Sequence, residues 1–336
     1  MSDLEKDPAE VVCTGSEQGP VFELLEPREV VLGRSTKVRR LLPNKNRRMV
    51  GAWCFVDHYG PDDLTQERVD SYDAPGERGM LVPPHPHTSL QTVSWLFEGE
   101  IEHRDSVGSH AFVRPGELNI MTAGNGIAHS EVSTPDAPPM LHGAQLWVAL
   151  PDSVRTTTPP AFNAYADLPQ FEVDGAHVTV MIGTVAGVTS PAPAYTPLVG
   201  ADITIQPGRT LPLPLTPSHE YAVLVVDGSL TVGHLTPSFG EMAYLGAGRD
   251  TVDLVASDNG VRLLLLGGEP FTEELVMWWN FIGRTHDDIV EAREAWQASI
   301  GAAGNDRFPT VPGYAGDPLP APPLPGTTLK PRPRAR

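Results

Sequence analysis

The chain has 336 residues, with 24 Lys and Arg against 42 Asp and Glu, a formal net charge of −18. That field disfavours a broad grip on nucleic acid or anionic lipid, and groove-reading motifs are absent, so no direct nucleic-acid binding is expected. The 35 prolines and 32 glycines exclude a long-helix bundle, and 40% apolar residues exclude wholesale disorder.

The length suits two domains of about 100 to 200 residues each. Two cysteines, Cys13 and Cys54, make no disulfide framework and fit a reducing compartment. The N-terminus has no apolar signal region, and no run approaches about 18 apolar residues. A cytoplasmic protein without membrane contact is expected.

Residues 1–20 read as a flexible acidic leader, with Asp3, Glu5, Asp7, Glu10 and Glu17 against Lys6. From VFELLEP onward, short runs rich in Val, Ile, Leu, Thr and aromatics are separated by turn signals, as in REVVLG, MVGAWCFVDHYGP and HGAQLWVAL. Many short strands predict an all-β fold of sandwiches or barrels rather than alternating β-α units. Residues 28–48 hold eight cations (Arg28, Arg34, Lys37, Arg39, Arg40, Lys45, Arg47, Arg48) and one acid, Glu29. They read either as a solvated hairpin surface or as a docking patch for an acidic protein or ligand. Asp57 and His58 are neighbours and point to opposite faces of a strand, which argues for a turn-stabilising role and against a catalytic dyad.

The chemistry begins at His85-Pro86-His87 and continues at His129-Ser130-Glu131. In an extended chain residues i and i+2 share a face, so each trio aims two ligand-capable side chains one way. A single strand histidine is more often packed or solvated than a ligand; two same-face pairs favour a metal. Three imidazoles and one carboxylate suit a first-row divalent ion, either iron with open positions or zinc. Pro86 donates no ladder hydrogen bond, which predicts a barrel mouth or a bulge. His103 and Asp105 line the cavity or support a ligand from behind, and Gly124-Asn125-Gly126 reads as a turn.

A duplicated unit organises the rest. TVSWLFEGEIE matches YAVLVVDGSLT, and PGELNIMTAGNG matches FGEMAYLGAGRD, in the same order. Continuing the two alignments sets Pro214 and Thr216 opposite His85 and His87, and Asp253 and Val255 opposite His129 and Glu131. The second unit therefore lacks most of the ligand set, and one metal is expected, in the first domain. The boundary falls in the Pro-rich stretch 151–169, giving domains at 21–160 and 161–305. In THDDIVEAREAWQAS, Thr285 caps a helix, Asp288 completes the capping box, and Ile289, Ala292 and Trp296 recur at helical spacing. Residues 306–336 are expected to form a disordered Pro-rich tail with terminal cations Lys330, Arg332, Arg334 and Arg336.

HPHTSLQTVSWLFEGEIEHRDSVGS followed by RPGELNIMTAGNGIAHSE resembles the signature of the pirin family, two-domain proteins of the cupin superfamily. VGAWCFVDHYGP and MWWNFIGRTHDDI are similar to pirin segments as well. The resemblance implies a bicupin of two jelly-roll β-barrels, with one Fe(2+) per chain on His85, His87, His129 and Glu131, other first-row divalent metals also being accepted. It implies O2 and a flavonol-like substrate, a quercetin 2,3-dioxygenase activity that releases carbon monoxide, and Glu131 as acceptor of the substrate's hydroxyl proton. A regulatory protein that binds a transcription factor or metabolic enzyme without turnover is the second implied class. A purely structural metal is the third reading. Gln91 departs from the family's usual Glu, a carboxylate that is not a pirin metal ligand, so metal binding is expected to survive.

Overall fold

The computed structural model describes residues 21–32, 36–65, 79–134, 136–301 and 304–335. The expected acidic leader, with Cys13, lies outside the described residues, as does Arg34. The chain folds into two lobes built almost wholly of antiparallel strands, as the spacing of short apolar runs predicts.

The first lobe pairs a large sheet with a small one. The large sheet runs Ala161–Tyr165, Leu118–Thr122, Leu90–Glu98, Met140–Ala149, Trp53–Asp63, Thr36–Leu42, Arg28–Leu32. The small one runs Leu81–His87, Ile127–Val132, Ile101–Asp105, His110–Val113. In the second lobe Phe22–Leu25, Met242–Leu245, Glu220–Val232, Thr251–Gly268, Leu198–Ile205, Ala176–Ile182 and Gln170–Val173 form one sheet, with Thr210–Pro214 also on Thr251–Gly268. The boundary at 160/161 is not where the sheets divide: Ala161–Tyr165 pairs with Leu118–Thr122 of the first lobe, and Phe22–Leu25 crosses to the second.

The strand Leu90–Glu98 is buried on both faces up to Phe97, because one face looks into its own lobe and the other packs on the second. Trp53 and Trp95 enter one apolar cluster with Leu224, Leu264 and Leu266 of the second lobe. Their indole N–H groups donate across the joint, Trp53 Nε1 to Val199 O at 3.0 Å and Trp95 Nε1 to the Asp202 carboxylate at 2.9 Å. Buried indoles need such acceptors, so the joint is both apolar and directional.

The helix His286–Ser299 has Thr285 as N-cap with a complete capping box to Asp288, as expected. Ile289, Ala292 and Trp296 turn inward and, with Trp278, Phe281 and Phe308, pack on Ala128, behind the small sheet. Among the described residues no helix is long and apolar enough to cross a membrane.

Three expectations are corrected. The tail has no helix or strand, but it is not disordered: Phe308 and Ala321 are buried, the Leu319 N–H donates to Pro84 O at 2.9 Å, and Arg334 reaches Glu220. Composition alone missed its apolar residues, spaced to lie along a pre-existing edge. The basic segment is largely turned inward. Arg40 is buried against Asp57, Arg47 is buried against Glu23 and over the Tyr244 ring, and Arg39 lies on Phe239, which leaves Arg28, Lys37 and Lys45 exposed. Finally, the duplicated unit is out of step with the simple alignment. Pro212 pairs with Asp253 and Pro214 with Thr251, and these residues face outward, while Leu211, Leu213, Val252 and Leu254 face in. The second lobe's turn from Pro214 to Glu220 is longer than that from His87 to Leu90, and an odd slip exchanges the two faces of a strand.

Candidate metal centre

His85 and His87 sit on Leu81–His87, an edge strand whose prolines would be costly in a central position. It pairs with Ile127–Val132 in a register that sets His85 opposite His129, with a bulge between His129 and Glu131. Gly124, with φ +54 and a Thr158 carbonyl where a Cβ would lie, makes the tight entry to that second strand.

The three imidazoles converge. Their ligand nitrogens lie within 4.8 Å of one another, and all three side chains are 0% exposed. His87 Nε2 and His129 Nε2 stand 3.1 Å apart, the separation of two nitrogens each about 2.1 Å from one ion at nearly a right angle. His85 Nε2 is buried with no hydrogen-bond partner, a cost that an ion at this point removes.

Each ring is also held from behind. His85 Nδ1 meets Pro83 O at 2.9 Å, and His87 Nδ1 meets Asn280 O at 3.1 Å. Carbonyls only accept, so both rings carry the proton on Nδ1 and present the Nε2 lone pair. His129 Nδ1 lies 3.4 Å from His103 Nδ1, and His103 Nε2 lies 3.2 Å from Asp105 Oδ2. The Asp105 carboxylate fixes the His103 proton on Nε2, leaving its Nδ1 to accept from His129. Burial is the largest cause that pushes the pKa values of His85, His87 and His129 well below the ordinary range, and neighbouring rings add to it for His85 and His129. The rings are thus neutral donors at neutral pH.

The fourth expected ligand, Glu131, is buried opposite His103, but its carboxylate falls outside the group formed by the three imidazoles. Its Oε1 takes the Ser94 hydroxyl at 3.4 Å, and the same hydroxyl lies 2.8 Å from Gln145 Oε1. Burial and the Glu131 charge drive the Tyr59 phenol well above its ordinary pKa, so it stays protonated beside that carboxylate. Phe55 stacks on Trp147 at 4.0 Å, and Trp147 stands edge-on to His87 at 5.1 Å, closing an apolar wall.

Sequence reasoning named His103 and Asp105 but missed Ser94, Gln145, Tyr59 and Asn280. For Ser94 and Gln145 there was a signal, a polar residue inside an almost continuously apolar strand. For Asn280 there was none: it is 193 residues from His87, delivered by a bend at Trp279 with φ 52. Gln91 donates to Thr122 at 3.0 Å and alternates with Thr92 and Ser94, which puts it on the sheet face away from Ser94. Asp57 and His58 do not stabilise a turn. They lie mid-strand, Asp57 paired with Arg40 at 2.8 Å and His58 Nε2 2.7 Å from His142 Nε2.

Among the described residues no other group of three or more metal-ligating side chains is assembled, and the second lobe's interior is apolar. The residues of the first lobe fit one divalent ion.

Comparison with known proteins agrees with this architecture. Residues 35–148 match the model of the Pirin family and residues 200–300 that of the Pirin C-terminal cupin domain. A Pseudomonas aeruginosa protein provisionally named quercetin 2,3-dioxygenase is 44% identical over 91% of this chain and 91% of its own length. A pirin-like protein of Caulobacter vibrioides is 37% identical over 78% of this chain and 88% of its own. The crystal structure of a quercetin 2,3-dioxygenase from Acinetobacter baumannii superposes with a TM-score of 0.83 at 39% identity, covering 92% of this chain and 97% of that one. Both matched domains, in this order and on this bicupin fold, assign the chain: it belongs to the pirin family.

Proposed function

We propose that the chain is a mononuclear iron(II) dioxygenase that opens the ring of a flavonol such as quercetin with O2. The observation that carries this reading is the convergence of three buried, neutral imidazoles, each with its far nitrogen pinned, with one buried carboxylate, Glu131, farther along the strand that carries His129. The names borne by the Pseudomonas and Acinetobacter relatives support the same substrate class. When bound, an open-sided iron(II) ion supplies a site for an electron-rich oxygen donor next to O2.

The chain's own residues do the rest. His85, His87 and His129 hold the ion, and Glu131 accepts the proton of the flavonol 3-hydroxyl at its carboxylate. Ser94 steadies Glu131 from one side and the Gln145 amide oxygen from the other. Phe55 and Trp147 exclude water around His87.

The test is aerobic incubation of the iron-loaded protein with quercetin, following loss of the flavonol absorbance and release of carbon monoxide. Turnover that disappears in His129→Ala is the expected result. Turnover no greater than that of His129→Ala sinks the enzyme reading and leaves a metal-bearing regulatory protein.

A further inference from the structure

Among the described residues, four other than glycine adopt a positive φ. Asp174 and Ala186 are exposed at hairpin tips, each followed by a glycine that is also positive, the ordinary pairing for a two-residue turn. The other two are buried, Ser89 at 3% and Trp279 at 5% exposure, and both adjoin the support of His87.

Trp279 and Asn280 form the loop between Val276–Trp278 and Phe281–Gly283, with Trp278 opposite Phe281. Trp279 stands at φ 52 in the first loop position, where glycine is the ordinary choice and a bulky side chain is strained. The hairpin docks on the segment after His87: Ile282 N donates to Thr88 O at 3.3 Å, the Thr88 hydroxyl donates to Ile282 O at 3.2 Å, and Asn280 O meets His87 Nδ1 at 3.1 Å. Next along the chain, Ser89 at φ 60 donates its N–H to Gly124 O at 2.8 Å. Strain thus lies on both sides of one contact, and it persists only where the surroundings over-determine it. The Trp279 ring does so here, edge-on to Phe281 with centroids 5.4 Å apart, in the cluster that also holds Trp278, Ile289 and Trp296. A glycine at 279 would make the same turn without strain, but without the ring that leaves the tip one conformation.

We propose that Trp279 is a positioning residue for the metal centre: clamped by its ring, it holds the Asn280 carbonyl on His87 Nδ1 and so fixes the direction of the His87 Nε2 lone pair. This role rests on the metal centre of the proposed function, and two measurements on the full chain keep the two apart. In the metal-free protein, proton NMR follows solvent exchange of the His87 Nδ1–H, identified by its absence in His87→Ala, and chelator competition measures Co(II) affinity. Trp279→Gly keeps the carbonyl but loosens it, and is expected to speed the exchange roughly tenfold or more and to weaken Co(II) about 10- to 100-fold. Trp279→Asn, which tolerates the same φ without the ring, shows the same losses, and Trp279→Phe keeps both values within about threefold of wild type. Ile289→Ala, buried in the same cluster but outside the hairpin, changes neither. Wild-type values in Trp279→Gly and Trp279→Asn, or equal losses in Ile289→Ala, overturn the proposal. Faster exchange in a chain that binds no Co(II) upholds the hold of Trp279 on His87 and overturns the metal centre instead.

Discussion

Each of the three converging imidazoles is held by a different part of the chain: His85 by the carbonyl two residues back, His87 by the Asn280 carbonyl, and His129 by His103 and Asp105. Carbonyl partners survive any side-chain substitution, so His103 is the one support that mutation removes cleanly. His103→Ala is expected to weaken metal binding about 10- to 100-fold while leaving the three ligands in place. Chelator competition with Co(II) measures this, and equal affinity in wild type and variant would refute the supporting role. At the same scale the buried Arg40–Asp57 pair, with both oxygens of Asp57 engaged, shows why a sequence-level cluster of cations does not make a surface patch. A guanidinium with a bidentate carboxylate and the Phe55 face to lie on is at home inside.

Among the elements, the edge strand Leu81–His87 and the C-terminal segment belong together. An edge strand bearing His85 and His87 presents unpaired carbonyls on one side. The segment after the helix covers it, with Leu319 on the Pro84 carbonyl and Phe308 against Gly126 and Trp296. Phe308→Ala is therefore expected to cost about 3 to 5 kcal/mol in denaturant unfolding, as for a buried core aromatic. A disordered tail would give no change in the unfolding midpoint. The segment was illegible in the sequence because its nine prolines forbid regular structure but not docking. Proline fixes φ without side-chain entropy to lose, so an extended arm orders at low cost against a ready surface. The helix, by contrast, was legible in full, since a capping box is a local signal that needs no partner.

For the whole molecule, the joint between lobes carries a pH dependence of its own. His58 and His142 are pushed down to about 3 and about 4, burial being the largest cause, with the other histidine next for His58 and the Arg262 charge next for His142. Their folded-state values lie below the unfolded imidazole near 6.5, so stability is present above that pH. As pH falls from about 6.5 to 4 the unfolded chain takes up protons that the folded chain refuses. Each histidine then removes at most about 1.4 kcal/mol per pH unit. Urea unfolding of wild type and His142→Gln across this window measures the difference; the variant is expected to show the shallower loss, and parallel curves would rule the pair out as its source.

The sequence by itself determined the secondary-structure class, the duplicated unit, the helix and the two histidine-bearing strands, because alternation and capping are local and survive without a fold. It also located the three imidazoles, since i and i+2 share a face in any strand. Only the tertiary structure decided how those rings are oriented, which carboxylate stands apart from them, which cations are buried and where the proline arm lies. These depend on contacts such as His87 with Asn280 and Leu319 with Pro84, between segments far apart in the chain. The second lobe makes the same point in reverse. One odd slip of register places Leu213 and Val252 in its core in place of Pro214 and Asp253, which linear alignment matched to His85 and His129.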